Sequence, residues 1–435
     1  MDKGGCLVEH ILKEIAHIMH HDYAGFEDKN GWDNPEDFLK KIQHLKESNL
    51  LTREKFVEVI RDYLLDFNEY HIFFNDRCGI VNNKLLDRGF RVRRFKEYLY
   101  VTQVNSENRL KKRMFFKSVG GYTIPELREK HRRLLNENHT ERENWMPVLS
   151  LYEYGEIEDN EGNTSVFKFN FYEKTTYVPT YSVKKINDNA LLLTVTDFMN
   201  PDAIVTLIKE NQDLLDTTEN WIIDVRVNYG GSDSSFYPFL PYLMPVEGVE
   251  LLDSEDKMLF NCTDANAERA LEAIDSESKK IKDEQAQQFL KIFKREWQRN
   301  KGKGFVEFDF GSLFPETFVK GSNIPKRIAV LSDYMCGSSG DSFVEICKKS
   351  NKVIVVGRPT MGLNDYSNLV SKKWIEGFEL MYPTSRLSRI DKGLGMTGKG
   401  IQPNIYIPWT PEHLEIDVDL EQALNYLLSE NKSPR

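Results

Sequence analysis

RIAVLSDYMCGSSGDSFVEICKKSNKVIVVG, residues 327–357, places an apolar run, a turn with two glycines and two adjacent serines, a helical stretch and a second apolar run in immediate succession. Two apolar runs of strand length flanking a helix-period segment predict a β-α-β unit whose strands are parallel and buried on both faces. The turn then lies at the carboxyl end of the first strand, the edge where ligands bind in parallel sheets. Ser338 sits where the helix begins. A hydroxyl there faces unpaired helix N–H groups and the positive end of the helix dipole, a setting that suits developing negative charge. It equally suits a serine that only caps the helix.

The same alternation extends on both sides. NALLLTV (189–195), PDAIVTLIKENQDLL (201–215) and NWIIDVRV (220–227) predict strand, helix and strand, and the fold class that follows is α/β within a multidomain α+β chain. The strand WIIDVRV runs into Asn228, Gly230 and Gly231, where glycines let backbone amides approach a substrate oxygen. Residues 1–80 read as helices, with Leu7, Ile11, Leu12, Ile15 and Ile18 at helical spacing, Asn34 before Pro35 as one helix start and Thr52 as another. From 85 to 148 short alternating strands and turns predict a compact module, and 180–435 is read as the α/β core. A charged helical insertion over 264–300 is expected within that core as a lid.

The chain has 435 residues, 40% of them apolar and 29% charged, and no run approaches the ~18 apolar residues of a membrane span. Its N-terminus intersperses charged residues among the apolar ones, which breaks any secretory core, so residence in the cytoplasm is the expectation. Five cysteines without CxxC spacing are expected to be free thiols. A formal charge of −10 argues against nucleic acid as a partner, although Lys84 to Arg133 holds 15 Lys/Arg against 5 Asp/Glu. His17, His20, His21 and Asp22 allow a metal reading, but a polar helix end is the simpler one, and no metal is expected.

Four ordered motifs, IIDVRVNYGG, AVLSDYMCGSSGDSF, VIVVGRPTMG and GKGIQPNIYIP, resemble the C-terminal processing (tail-specific) serine peptidases, in particular the branch that includes the tricorn protease core. The resemblance implies a crotonase-like β-α-β catalytic core, an N-terminal helical region carrying a histidine base, and a PDZ-like module over 85–148. In it Ser338 is the nucleophile, and amides of Gly230 or Gly231 and of Ser339 form the oxyanion hole. It further implies a carboxylate-binding loop at Gly89, Phe90 and Arg91. Where one branch places a lysine base this chain has Leu363, so the base falls to His71 in LLDFNEYHIFF. Where the family has a glutamate that orients the histidine, this chain has Thr397, with Asp365 or Asp391 as substitutes.

The function implied is a serine endopeptidase acting on peptides or unstructured protein segments, with no cofactor and a possible homo-oligomer. A catalytically silent peptide-binding scaffold and an acyl-thioester enzyme on the same framework are the alternatives. Cys336 is read as a small packing residue rather than a thiol nucleophile.

Overall fold

The computed structural model describes residues 8–80, 86–135, 137, 139–251, 256–281, 284–311 and 317–429. Cys6, residue 85 at the start of the expected module, and residues 282–283 within the expected insertion lie outside them. The chain forms two compact units, each discontinuous in sequence. The first combines 1–83, 252–317 and 365–395; the second combines 84–251, 318–364 and 396–435.

In the first unit, strand pairing joins segments that are far apart along the chain. Phe73–Asp76, Tyr366–Lys373 and Met258–Cys262 all pair antiparallel with the long strand Phe378–Leu387, and Gly304–Glu307 extends the sheet beyond Met258–Cys262. Helices Glu9–His21, Pro35–Glu47 and Arg53–Leu64 supply Ile11, Leu12, Ile15, Ile42, Phe56 and Ile60 to one buried core with Phe378, Leu380 and Tyr382. Thr52 caps its helix through Lys55 N, whereas the Asn34 side chain donates to Asp37 instead. The contiguous 1–80 and 180–435 regions read from the sequence therefore differ from the observed units, because hydrogen-bonded ladders rather than chain order decide what packs together. The segment 264–300 shows this directly. It is two helices, Asp264–Glu277 and Glu284–Asn300, and Ala267, Ala270, Ile274 and Trp297 are part of the first unit's core. The expected lid is a structural wall.

His20 there pairs with Asp33, and Asp22 with Arg269 and Thr263, so the N-terminal His/Asp group is engaged in protein contacts.

The second unit holds the predicted parallel sheet. Ala190–Val195, Asn220–Asp224, Arg327–Ser332, Val353–Gly357 and Ile405–Tyr406 lie side by side and parallel, with Tyr181–Asn187 antiparallel at one edge. Successive residues point to opposite faces. Leu191, Leu193, Trp221, Ile223, Ile328, Val330, Val353 and Val355 enter one core, and Ile222, Ala329, Leu331, Ile354 and Val356 enter the other beneath the helix Val418–Leu428. Burial on both faces explains why these strands read as continuous apolar runs. Residues 90–168 add an antiparallel sheet in the order Phe90–Phe95, Tyr98–Val104, Phe115–Val119, Tyr154–Glu158, Thr164–Lys168 around its own core of Phe90, Leu99, Phe116 and Trp145.

Beyond the carboxyl ends of the parallel strands lies a buried charge network. Asp333 receives a bidentate ion pair from Arg93 at 2.7 and 2.9 Å and a third contact from Arg358 at 2.9 Å. Arg358 also binds Asp419, which Arg226 reaches at 3.2 Å while Arg226 binds Asp224 and Asp417 at 2.6–2.8 Å. Asp224 and Arg226 of the first glycine motif are thus fasteners of the sheet edge. Burial opposes ionisation of Asp333, yet the Arg93 and Arg358 guanidiniums outweigh it and hold its carboxyl down at about 2. A carboxylate that is more acidic folded than unfolded stabilises the fold above its unfolded pKa, and that stability disappears as pH falls through the folded value. Urea unfolding of the wild type is therefore expected to lose stability between about pH 4 and pH 2. Arg358→Ala should destabilise the fold by about 3 kcal/mol at neutral pH, because it takes one guanidinium from each of two buried carboxylates, Asp333 keeping only Arg93 and Asp419 keeping Arg226, and should flatten that acid dependence.

Candidate functional site

The serine elbow is held in an unusual backbone conformation. The strand ends at Ser332, a short parallel pairing joins Val227–Asn228 to Met335–Cys336, and the helix Ser339–Cys347 starts immediately after Ser338. Ser338 has φ 58° and ψ −122°. A non-glycine residue with positive φ carries about 1–3 kcal/mol of strain and persists only where its surroundings impose it.

Asp341 imposes it. This fully buried carboxylate accepts the amides of Ser338 (2.8 Å), Gly362 (2.8 Å) and Leu363 (2.9 Å). Burial pushes its carboxyl up, and these hydrogen bonds oppose the rise. Asn364 Nδ2 adds a 2.7 Å bond to the Ser338 carbonyl, and Arg142 donates to the Thr360 and Met361 carbonyls at 2.6 Å. The Arg-Pro-Thr-Met-Gly turn is thereby bound to the elbow, and the Leu363 amide, rather than a lysine side chain, is what position 363 contributes.

The two serines now separate. Ser339 bonds through its side chain to the half-buried Asp233, whose carboxyl is raised by desolvation and lowered in part by Ser339 and Ser342. Ser338 is half-buried, and its hydroxyl lies against Gly230. A Cβ at Gly230 would stand 2.7 Å from Ser338 Cβ and 3.2 Å from its Oγ, and Gly230 itself has φ 71°. No side chain fits there.

Of the amides assigned to the oxyanion hole, that of Gly230 donates to Asn228 Oδ1 at 3.0 Å and is already occupied. Asn228 also donates to the Val195 carbonyl, so it fixes the glycine loop on the sheet. The Gly231 and Ser339 amides have no acceptor among the described residues. Cys336 is fully buried, and burial pushes its thiol well above the ordinary range, which leaves it as packing. Thr397 occupies the turn of residues 396–399, and Met396 O and the Gly400 backbone lie against Gly362. Asp391 is paired with Arg386 at 2.7 Å, so its charge is already used.

In the first unit His71 lies just before the strand Phe73–Asp76, 9% exposed. Its Nδ1 is 2.9 Å from the Tyr366 carbonyl. A carbonyl only accepts, so Nδ1 carries the proton and Nε2 carries the lone pair, the arrangement a general base requires. Glu69, which sequence reasoning missed, accepts the His71 backbone amide at 3.0 Å, with its carboxylate 3.9 Å from Nδ1.

Gly89, Phe90 and Arg91 do not form an open carboxylate-binding loop. The Gly89 amide donates to Asp87 Oδ1 at 2.7 Å and its carbonyl accepts three amides from 105–107. Phe90 is in the core, and Arg91 pairs with Asp87 and its own neighbour's carbonyl. Asp87, four residues before Arg91, was the signal that these groups would be satisfied internally.

Residues 189–407 match Peptidase family S41, half of the chain. The fold and the serine elbow are those of a serine-type peptidase, and the chain belongs to Peptidase family S41. Among solved structures, mature CPAF complexed with lactacystin aligns over 97% of both chains at 14% identity and TM-score 0.66. Mature CPAF aligns over 97% of this chain and 96% of its own at 13% identity and TM-score 0.65. The photosystem II D1 C-terminal processing protease aligns over 98% of both at 12% identity and TM-score 0.48. At these identities the likeness to the two CPAF structures is one of fold. No curated protein sequence matches the chain.

Two substitutions that both remove the Ser338 hydroxyl separate strain from chemistry. Ser338→Gly should be about 1–2 kcal/mol more stable than Ser338→Ala by urea unfolding, because only glycine adopts positive φ freely. The reverse order, the one normally found inside helices, would show that the elbow is unstrained.

Proposed function

We propose that this peptidase is a serine endopeptidase that cleaves peptides or unstructured protein segments by a Ser338–His71 mechanism. The observation that carries the reading is the strained, half-buried Ser338 at a helix N-terminus with two uncommitted amides in the same motifs. Ser338 Oγ attacks the scissile carbonyl carbon while His71 Nε2 takes the hydroxyl proton, forming a tetrahedral oxyanion held by the Gly231 and Ser339 amides. Collapse of that intermediate breaks the C–N bond, and the imidazolium gives its proton to the leaving amine. Water then enters by the same route, its proton passing to His71, and releases the acid and the free serine.

The β-α-β sheet with its glycine loop supports the crotonase-like reading of the core, and the resemblance in sequence supports the histidine-dependent, tricorn-like branch. The antiparallel sheet of residues 90–168 supports a PDZ-like role only through a strand edge, since its expected loop is internally satisfied. Among the described residues the four cysteines are free thiols, which fits a reducing compartment such as the cytoplasm. No helix among them is long and apolar enough to cross a membrane.

A fluorophosphonate probe should label the wild type, and Ser338→Ala should lose both labelling and cleavage of an unstructured protein. His71→Ala should lower kcat about 10⁴-fold with KM little changed. Cleavage that persists in Ser338→Ala would remove the reading.

A further inference from the structure

The geometry points to Glu69 as the carboxylate that positions His71 and stabilises its protonated form, the task that Thr397 has no charge to perform. This inference rests on the Ser338–His71 reading. The short helical turn Leu65–Phe67 ends at Asn68 in the left-handed region, φ 44°, and the chain reverses so that Glu69 and His71 face the same space. Glu69 Oε1 accepts the His71 backbone N–H at 3.0 Å and stands 3.9 Å from the ring Nδ1. Its other oxygen, Oε2, lies 3.4 Å from Lys29 Nζ, and both side chains are almost wholly buried, at 4% and 2% exposure.

A negative charge at this distance, out of water, favours the imidazolium that forms when Ser338 gives up its proton and does little for the neutral ring. The stabilisation appears only along the reaction coordinate, so it belongs to kcat rather than to substrate binding. Tyr366 holds the ring through a neutral carbonyl, which sets the tautomer but supplies no charge. The division of labour is between an acceptor that aims the ring and a carboxylate that tolerates its protonation. Asp391 does not compete for this role because Arg386 holds it. Lys29 draws off part of the Glu69 charge, so the effect is smaller than that of a carboxylate bonded directly to the ring.

Glu69→Gln keeps an oxygen for the His71 amide and removes only the charge. In the full-length enzyme it should lower kcat about 10–100-fold and change KM less than about twofold. A peptide boronic acid forms a tetrahedral adduct with the serine against a protonated histidine, so its affinity should fall by about the same factor as kcat. A product peptide should bind as in the wild type. Glu69→Asp, which retains charge at a longer distance, should recover part of both losses and keeps the question decidable if the glutamine variant folds poorly. Unchanged kcat and boronate affinity in Glu69→Gln, with His71→Ala and Ser338→Ala inactive, would overturn the role of Glu69 and leave the mechanism standing. Equal loss of boronate and product binding would overturn it too, by showing a scaffold defect. Full activity in His71→Ala would remove the mechanism and this inference together.

Discussion

A single buried carboxylate, Asp341, governs the geometry of Ser338. Its two oxygens gather the amides of Ser338, Gly362 and Leu363, which come from a helix start and from a separate turn. Left alone, the backbone of Ser338 would relax to negative φ and turn its hydroxyl away. Buried polar groups are expensive when unpaired, so a carboxylate holding three N–H donors cannot yield one of them cheaply. The strain at residue 338 and the satisfaction of residue 341 are two sides of one balance.

Around that balance the second unit repeats one pattern, the fixing of strand ends by side chains that never meet a substrate in the proposed mechanism. Asn228 holds the glycine loop, Arg226 and Arg358 tie the sheet edge to Asp417 and Asp419, and Arg142 grips the Thr360–Met361 carbonyls. Much of what looks like an active-site motif in the sequence is scaffolding at close range. Within these motifs the Gly231 and Ser339 amides stand out as having no acceptor among the described residues.

The parallel sheet and the elbow were legible because their signals are local. Apolar runs of strand length, a glycine-serine turn and a helix-period segment each follow from neighbours in the chain. The unit boundaries were not legible, since the pairing of Phe73–Asp76 with Phe378–Leu387 leaves no trace in either segment alone. The same limit hid Glu69, whose partners Lys29 and His71 meet it only after folding. It also misled the reading of Gly89–Arg91, where a loop with apparent spare donors had Asp87 beside it to take them. Gly230 is the intermediate case: the glycine pair pointed to the place, but which amide remained available depended on the Asn228 rotamer.

The bond that orients His71 spans 295 residues, from the ring to the carbonyl of Tyr366. During synthesis the imidazole therefore has no fixed direction until more than four-fifths of the polypeptide has been made and that late strand has joined the sheet. Long-range pairings of this kind are slow to form. The direction of this imidazole is thus a property of the completed sheet rather than of the segment that carries it.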